Sequence, residues 1–265
     1  MKNSYRFFWV DAFTDQPFRG NPAVVCLIAQ DIPVSAMQNL AAEFGVSETV
    51  FVTPSGKDYS LRWFTPRMEV KLCGHATLAA AWVLWKEKLV DENEIFFHTC
   101  SGRIKVCRSE NVVTLEFPVV PVYHEDIPPQ IIRALRVQPQ YTAKAGDDWL
   151  IELTSEQEVI DAKPDFISLE SVWPNGVIIT AAGSEKADFV SRYFAPGEGI
   201  SEDPVTGSAH CALGYYWSEK LDKKNLYARQ LSFRGGQLQV RVSSRKVYIS
   251  GEAFILCSGT IMEPD

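Results

Sequence analysis

The 265-residue chain has no long hydrophobic run and no excess of basic residues. No apolar stretch approaches the ~20 residues that a membrane-spanning helix needs. The formal net charge is −7, and an acidic surface repels phosphate backbones and anionic membranes. These features argue against nucleic acid and membranes as partners. They leave an anionic small molecule open as substrate, because a local site can oppose the overall field.

Paired cysteine motifs are also missing. The six cysteines lie far apart and form no C-x-x-C pair, so neither a metal site nor a disulfide framework is predicted. The first residues, MKNSYRFFWVDAF, have an apolar run interrupted by Asp11 and no small-residue cleavage site, which is not typical of a secretory signal. We therefore predict a cytoplasmic protein with reduced thiols.

Nucleotide-binding motifs are absent as well. No G-x-G-x-x-G follows a predicted strand, and Arg234-Gly235-Gly236 lies between predicted strands, where a hairpin turn explains the glycines. A dinucleotide-dependent enzyme is therefore disfavoured.

Most of the chain is predicted to form short strands, because runs rich in β-branched and aromatic residues lie between Gly, Pro and Asp. The predicted strands are residues 5–10, 23–29, 49–53, 60–64, 112–117, 176–180, 230–233, 238–242, 246–250 and 253–257. A surface helix is predicted over residues 35–44, where Ser35 can cap the first turn and Gly45 can end the helix.

Two further segments, residues 76–85 and 209–217, are apolar nearly all round. A helix without a polar face has to be buried. Both segments are therefore predicted to be helices inside the protein.

An internal repeat surrounds these two segments. RWFTP at 62–66 is echoed by RYFAP at 192–196, and GHA at 74–76 is echoed by GSA at 207–209. Two echoes in the same order predict a structural duplication. With the Pro-rich segment after residue 117 as the connection, we predict a first half over residues 1–118 and a second over 119–252.

The starts of the two buried helices are candidate anion-binding sites. The first N–H groups of a helix have no internal partner and carry the positive end of its dipole. Gly74 with His75, and Gly207 with Ser208, could therefore hold a substrate carboxylate. The equally good alternative is that these glycines only allow close packing of helix on sheet.

Three titratable residues near these turns are candidates for proton transfer. His75 stands at the first helix start, where the dipole would lower its pKa and favour neutral imidazole. Asp203 precedes the second helix and could equally be a turn residue before proline. Glu48 could equally be an exposed carboxylate at a strand edge.

Five motifs resemble those of the PhzF (phenazine biosynthesis-like) family, in the same order. They are GNPAVV at 20–25, SETVF at 47–51, RWFTP at 62–66, CGHAT at 73–77 and EDPVTGSAH at 202–210. The chain is most similar to the branch typified by the MAWD-binding protein. The resemblance implies an α+β, diaminopimelate-epimerase-like fold, with two pseudo-symmetric barrel-like β halves, each around a central buried helix. It also implies that the last strand, 253–265, joins the first half.

The resemblance also implies a function. Members are cofactor-independent isomerases and homodimers that move a proton between carbons of a small carboxylate-bearing metabolite. By resemblance Glu48 is the general acid/base, while His75 and Asp203 assist it, and no metal or organic cofactor is used. The substrate-binding residues implied are Asn21, Gly74, Gly207 and Ser208.

Two alternatives stay open. Cys73 could be the base of a cysteine-dependent epimerase, racemase or hydroxyproline-dehydratase-like enzyme, because a helix N-terminus can lower the pKa of a thiol. The repeat places Thr206 opposite it, which disfavours a two-cysteine racemase. The chain could also be a non-catalytic binding protein that retains the fold, since fold alone does not prove activity.

Overall fold

The computed structural model describes residues 4–29, 32–184 and 186–262. The chain divides into two compact units, one formed by Met1–Glu116 with Ser250–Asp265 and the other by Phe117–Ile249. None of the helices in the described ranges has the length and apolar character to cross a bilayer.

Strands predominate in both units. In chain order they are β1 (Ser4–Ala12), β2 (Asn21–Leu27), β3 (Glu48–Ser55), β4 (Asp58–Phe64), β5 (Glu69–Val70), β6 (Glu94–Thr99), β7 (Gly102–Ser109), β8 (Val112–Pro118), β9 (Val122–His124), β10 (Tyr141–Ala145), β11 (Asp148–Glu152), β12 (Val177–Ala182), β13 (Phe189–Ala195), β14 (Ile200–Asp203), β15 (Asn225–Gln230), β16 (Gly236–Val242), β17 (Lys246–Gly251) and β18 (Ala253–Met262).

The helices are α1 (Val34–Phe44), α2 (Gly74–Lys86), α3 (Pro129–Leu135), α4 (Glu156–Asp161), α5 (Phe166–Val172) and α6 (Gly207–Leu221), with a short 3₁₀ turn over Pro196–Glu198.

The order of strand pairing is the same in the two units. In the first unit, β1 pairs antiparallel with β18 and β2, β2 pairs parallel with β3, and β3 pairs antiparallel with β4. Then β4 pairs parallel with β6, and β6 antiparallel with β7. The second unit repeats this series: β10 is antiparallel to β9 and β11, β11 parallel to β12, β12 antiparallel to β13, β13 parallel to β15, and β15 antiparallel to β16. The duplication detected in the sequence is therefore also a duplication of topology.

The two apolar segments form buried helices, as predicted. Every residue of α2 from 75 to 85 is buried, and the helix packs on β1, β2, β3 and β18. In α6, residues 209–214 and Trp217 are buried, and the helix packs on β9, β15 and β16. A helix that is apolar on every face is stable when surrounding strands cover it completely. Each of these helices therefore lies inside its unit.

The surface helix α1 is confirmed, but its predicted N-cap is wrong. The helix begins at Val34, so Ser35 lies within the first turn and Pro33 takes the capping position without a side-chain hydrogen bond. Gly45 ends the helix as predicted, with a φ of 64°. Met37 and Ala41 bury one face of α1.

The predicted strand over residues 230–233 is also wrong. β15 ends at Gln230, and the next residues form a turn in which the Ser232 hydroxyl donates to the Pro204 carbonyl and accepts from the Gly235 N–H. The Phe233 side chain, which suggested a strand, is fully exposed at the turn. A serine that bonds neighbouring backbone groups competes with strand formation here.

Candidate active site

Four predicted site residues meet in the first unit. Asn21 opens β2 and Glu48 opens β3, and these strands run parallel with Ala23 paired to Glu48. Parallel neighbours begin at the same sheet edge, so both side chains lie at that edge. Cys73 is the N-cap of α2, and His75 lies in the first turn. The structure therefore brings the starts of two strands and one helix to one place.

His75 is the centre of this cluster. Its Nε2 lies 3.1 Å from Oε2 of Glu48, and its Nδ1 lies 3.2 Å from the Asn21 amide nitrogen and 3.5 Å from Sγ of Cys73. The Ser47 hydroxyl donates to Oδ1 of Asn21 at 3.3 Å. Contacts to both ring nitrogens fix the orientation of the imidazole.

The charge of His75 differs from the prediction. Burial disfavours the charged imidazole, but the adjacent Cys73 sulfur and Glu48 carboxylate outweigh it and raise the His75 pKa well above its ordinary value. The prediction that the helix dipole lowers the pKa of this residue is therefore wrong. Partners packed against the ring outweigh the dipole, which acts through partial charges only.

Cys73 also departs from the sequence argument. Burial raises the pKa of its thiol, and the Glu48 carboxylate raises it further, so the helix N-terminus does not produce a low thiol pKa. With the thiol protonated, the Glu48 carboxylate is the neighbour that still raises the His75 pKa.

Glu48 is held differently from its neighbours. Its Oε2 is buried and, within the ranges described, is left without a regular hydrogen bond, although it lies 3.1 Å from Nε2 of His75 as an ion-pair contact. Its side chain keeps only 13% of its surface exposed. A nearly buried carboxylate oxygen without a regular hydrogen bond can accept a proton from an incoming molecule.

In the described part of the chain, one set of side chains has metal-ligand spacing. Donor atoms of Glu48, Cys73 and His75 all lie within 4.8 Å of one another. The expectation that the protein's chemistry uses no metal stays a prediction.

The second unit holds the remaining predicted residues around the start of α6. The Thr206 hydroxyl donates to Oδ2 of Asp203 at 2.5 Å, and the Thr206 N–H donates to Oε1 of Gln230 at 2.9 Å. The Gln230 amide donates in turn to the Asp203 carbonyl at 2.7 Å. Asp203 is thus held by the turn that also starts the helix at Gly207 and Ser208.

Gln230 is a site residue that sequence reasoning missed. It is almost fully buried, and its amide is bonded at both ends to the turn over residues 203–206. The sequence gives no signal for this, because residues 24 or more positions apart meet only after β15 has folded beside the turn.

An arginine–glutamate pair occurs at the same place of the repeat in both units. Arg62 pairs with Glu69 through two hydrogen bonds of 2.8 Å, and Arg192 pairs with Glu202 through bonds of 2.7 and 2.9 Å. Each pair joins the two strands that precede a buried helix, β4 to β5 and β13 to β14. Two-pronged arginine–carboxylate pairs fix geometry as well as adding energy.

At the start of each buried helix, a side chain also bonds the carbonyl of the N-cap residue. In α2 the Thr77 hydroxyl donates to the Cys73 carbonyl at 2.5 Å, and in α6 the His210 Nδ1 bonds the Thr206 carbonyl at 2.7 Å. Two different side chains therefore hold the N-cap carbonyl at matching positions of the repeat.

A cavity of about 310 Å³ in the second unit borders the start of α6. Ser208 and Ala209 line one side, and Asp148 and Asn175 line another. Burial raises the pKa of Asp148, although it accepts the Gly176 N–H at 3.0 Å. Ser208 thus faces a space of the size that small-molecule sites have.

Known proteins are similar to this chain in both sequence and fold. The family model described as "Phenazine biosynthesis-like protein" matches residues 10–259. An uncharacterized isomerase of Halalkalibacterium halodurans is 44% identical over 247 residues, covering 92% of this chain and 93% of the relative. A PhzF family protein from Enterococcus faecalis has a crystal structure that matches with a TM-score of 0.95 and 40% identity, over 98% of this chain and 100% of that one.

The fold extends to more distant proteins. A hydroxyproline epimerase from Agrobacterium vitis matches with a TM-score of 0.61 at 11% identity, over 100% of this chain and 95% of that one, which shows a shared fold alone. The predicted α+β, epimerase-like fold class is therefore confirmed. With a family model matched over nearly its whole length, this chain belongs to the phenazine biosynthesis-like (PhzC–PhzF) family.

Proposed function

We propose that this protein is a cofactor-independent isomerase that moves a proton between carbons of a small carboxylate-bearing substrate. The observation that carries the proposal is the Glu48 carboxylate, whose buried Oε2 is left without a regular hydrogen bond in the described structure and lies 3.1 Å from His75. The name "isomerase" of the relative from H. halodurans supports the same reaction class.

The proposed reaction is a pair of proton transfers. Glu48 removes a proton from one substrate carbon, the electron pair shifts along the conjugated system, and Glu48 or a neighbouring acid returns a proton to a second carbon. Electrons and atoms balance without an oxidant, because only a proton and a double bond change place.

The surrounding groups stabilise the charge that develops. His75, 3.1 Å from Glu48, is proposed to donate a proton in the second step. Backbone N–H groups at the start of a buried helix, either at Gly74 or at Gly207 with Ser208, are the proposed donors to the substrate carboxylate. Asp203 and Asn21 are proposed to orient substrate and imidazole.

A cysteine-based mechanism is the second candidate. It is favoured by the 3.5 Å distance between Sγ of Cys73 and Nδ1 of His75, since the imidazole could take the thiol proton. It is opposed by burial, which raises the pKa of that thiol, and by Thr206 at the matching position of α6. A binding protein without activity is the third candidate.

A deuterium-exchange screen separates these three candidates. The protein is incubated in D₂O with pooled small carboxylates, including prolines, α-amino acids and unsaturated cyclic amino acids, and exchange is followed by NMR. We expect exchange at one carbon that is lost in Glu48→Gln and retained in Cys73→Ser. The reverse dependence would assign the cysteine mechanism, and binding without exchange across the pool would favour the binding protein.

The proposed enzyme is also expected to be a cytoplasmic homodimer. Light scattering coupled to size-exclusion chromatography measures its mass directly, and a monomer mass near 29.7 kDa would contradict the dimer.

A further inference from the structure

The loop between β1 and β2 adjoins the cluster around Glu48. The two strands form a hairpin in which Ala12 pairs with Asn21, so residues 13–20 close it at the edge where β2 begins. The parallel neighbour β3 begins at the same edge with Glu48. Asn21, which directly follows the loop, has its amide nitrogen 3.2 Å from Nδ1 of His75. The loop therefore lies beside the proposed acid–base group.

Phe18 in this loop has a strained backbone. Its φ is 66°, in the left-handed region that is unfavourable for a residue with a bulky side chain. The Phe18 N–H donates to Oδ2 of the fully buried Asp11 at 2.8 Å. Gly20 follows with a φ of 64°, and a Cβ there would lie 2.1 Å from the Ala12 carbonyl oxygen. Contacts on both sides of Phe18 therefore hold its backbone in this conformation.

Packing of the core does not account for Phe18. Its side chain is 69% exposed, so the ring contributes little to the buried apolar surface. Phe13 in the same loop has a φ of 63° but is fully buried, so its burial offsets the strain. The other described non-glycine residues with positive φ are exposed charged residues in turns, namely Lys88, Glu110, Arg136 and Asp222. Strain of this kind is concentrated at functional sites, which favours a role for Phe18 in binding.

We propose that Phe18 is a specificity-determining residue whose ring covers the apolar carbons of a carboxylate-bearing ligand bound beside Glu48 and His75. Apolar carbons that pack against the phenyl ring leave water, so affinity increases with the apolar length of the ligand. The ring takes no part in proton transfer. Only the place where the ligand binds rests on the proposed function, and binding is measured without turnover.

NMR titrations of the ¹⁵N-labelled full chain with acetate, butyrate and hexanoate test this contact, with the amide signals of Asn21 and His75 as reporters. Each methylene that packs against the ring should tighten binding to the wild type by about twofold to fourfold. In Phe18→Ala the gain per methylene should fall by about half or more, while the acetate affinity stays within about twofold. Phe18→Leu keeps an apolar side chain and should retain most of the gain.

Leu89→Ala is the matched control. Leu89 is an exposed apolar residue beyond the C-terminal end of α2, whereas His75 lies in the first turn of that helix. This variant should keep the wild-type dependence on chain length. The same dependence in Phe18→Ala as in the wild type would overturn the proposal, as would wild-type protein that binds none of the acids or binds all three equally. Wild-type affinities in Phe18→Ala together with a smaller mass by light scattering would assign the ring to a subunit contact instead.

Urea unfolding tests the strain separately. Phe18→Gly and Phe18→Ala both remove the ring, but only glycine adopts a φ of 66° without strain. Phe18→Gly should therefore unfold at a higher urea concentration than Phe18→Ala. An equal or lower midpoint for the glycine variant would remove the reason for assigning a function to Phe18.

Turnover distinguishes this role from the isomerase activity itself. With a substrate found by the exchange screen, Phe18→Ala should raise KM by about tenfold and leave kcat within about twofold, because the ring contacts the substrate equally before and during proton transfer. Chain-length-dependent binding that requires Phe18, in a protein without exchange activity, would uphold the role of Phe18 and contradict the isomerase. Exchange with an unchanged KM in Phe18→Ala would do the reverse.

Discussion

At the residue scale, the buried histidines near the two helix starts differ in pKa. His75 contacts a carboxylate, and its pKa is raised, whereas His210 bonds a backbone carbonyl through Nδ1 and burial lowers its pKa to about 4. In the repeat, His210 takes the position of Thr77, two residues after His75. Their partners, and not their place on the helix, set their charge.

The neutral state of His210 predicts a pH-dependent stability. The folded protein binds a proton at His210 only near pH 4, while the unfolded chain binds one near its ordinary value of 6.5. Stability from this residue is therefore full above pH 6.5 and is lost as the pH falls towards 4. Between pH 7 and pH 5 we expect a loss of about 2 kcal/mol from this group.

Urea unfolding at the two pH values measures this effect. The drop in unfolding free energy should be about 2 kcal/mol smaller in His210→Gln than in the wild type, because glutamine does not titrate. Exposed carboxylates titrate equally in both proteins, so the difference isolates His210. An identical drop in both proteins would contradict a neutral buried imidazole.

The sequence motifs were sufficient to single out Asn21, Glu48, Cys73 and His75, which lie together in the structure. They did not predict the charge of His75 or of Cys73. The helix dipole can be read from sequence position, but the burial and the Glu48 contact that oppose it depend on how β2, β3 and α2 pack.

At the scale of elements, short turns carry the site and side chains from distant strands hold those turns. The turn before α6 is held by Gln230, and the strands before each buried helix are joined by an arginine–glutamate pair. The buried helices were predicted because a helix that is apolar on every face is stable inside the protein. The turn after Gln230 was mistaken for a strand because its aromatic residue suggested β structure while Ser232 and Gly235 determine the backbone.

Gln230→Ala should loosen the turn that holds Asp203. The variant leaves the Thr206 N–H buried without its acceptor, which costs about 1–3 kcal/mol of stability. We also expect a lower exchange rate, because Asp203 loses its support. Urea unfolding and the exchange assay measure the two effects, with Gln239→Ala, an exposed glutamine on β16, as the control. Wild-type stability and exchange in Gln230→Ala would contradict this role.

Gly214 allows α6 to lie close to the sheet. A Cβ at this position would come within 2.5 Å of Cγ1 of Val240 on β16. Gly214→Ala should therefore destabilise the protein by about 1–3 kcal/mol, although alanine favours helix formation. Unfolding experiments on a double-mutant cycle with Val240→Ala test the contact, since removing the valine methyls should recover part of the loss. Additive effects of the two substitutions would argue against the contact.

At the scale of the whole molecule, the same series of antiparallel and parallel pairings occurs in both units. The sequence predicted the duplication from two short echoes, and it predicted that each half contains a buried helix. It did not predict the strand order, because no strand was predicted over β5, β6, β7, β9, β10, β11, β13 or β14. Long-range pairing such as β1 with β18 depends on contacts that no local pattern records.

The duplication also explains why the two helix starts differ chemically. Each unit supplies the start of a buried helix, but only the first places Glu48 and His75 beside it, while the second uses Thr206 and Gln230 to hold Asp203. One fold unit, used twice, thus supplies a glutamate–histidine pair once and a held aspartate once.

The most direct test of this proposal is the rate of solvent-deuterium incorporation into a substrate found by the exchange screen, compared between wild type and Glu48→Gln. Glutamine keeps the shape of the side chain but cannot accept the proton. We predict that the variant folds and binds the carboxylate normally while exchange slows by about 10²–10⁴-fold. Exchange at the wild-type rate in folded Glu48→Gln would contradict Glu48 as the acid–base group.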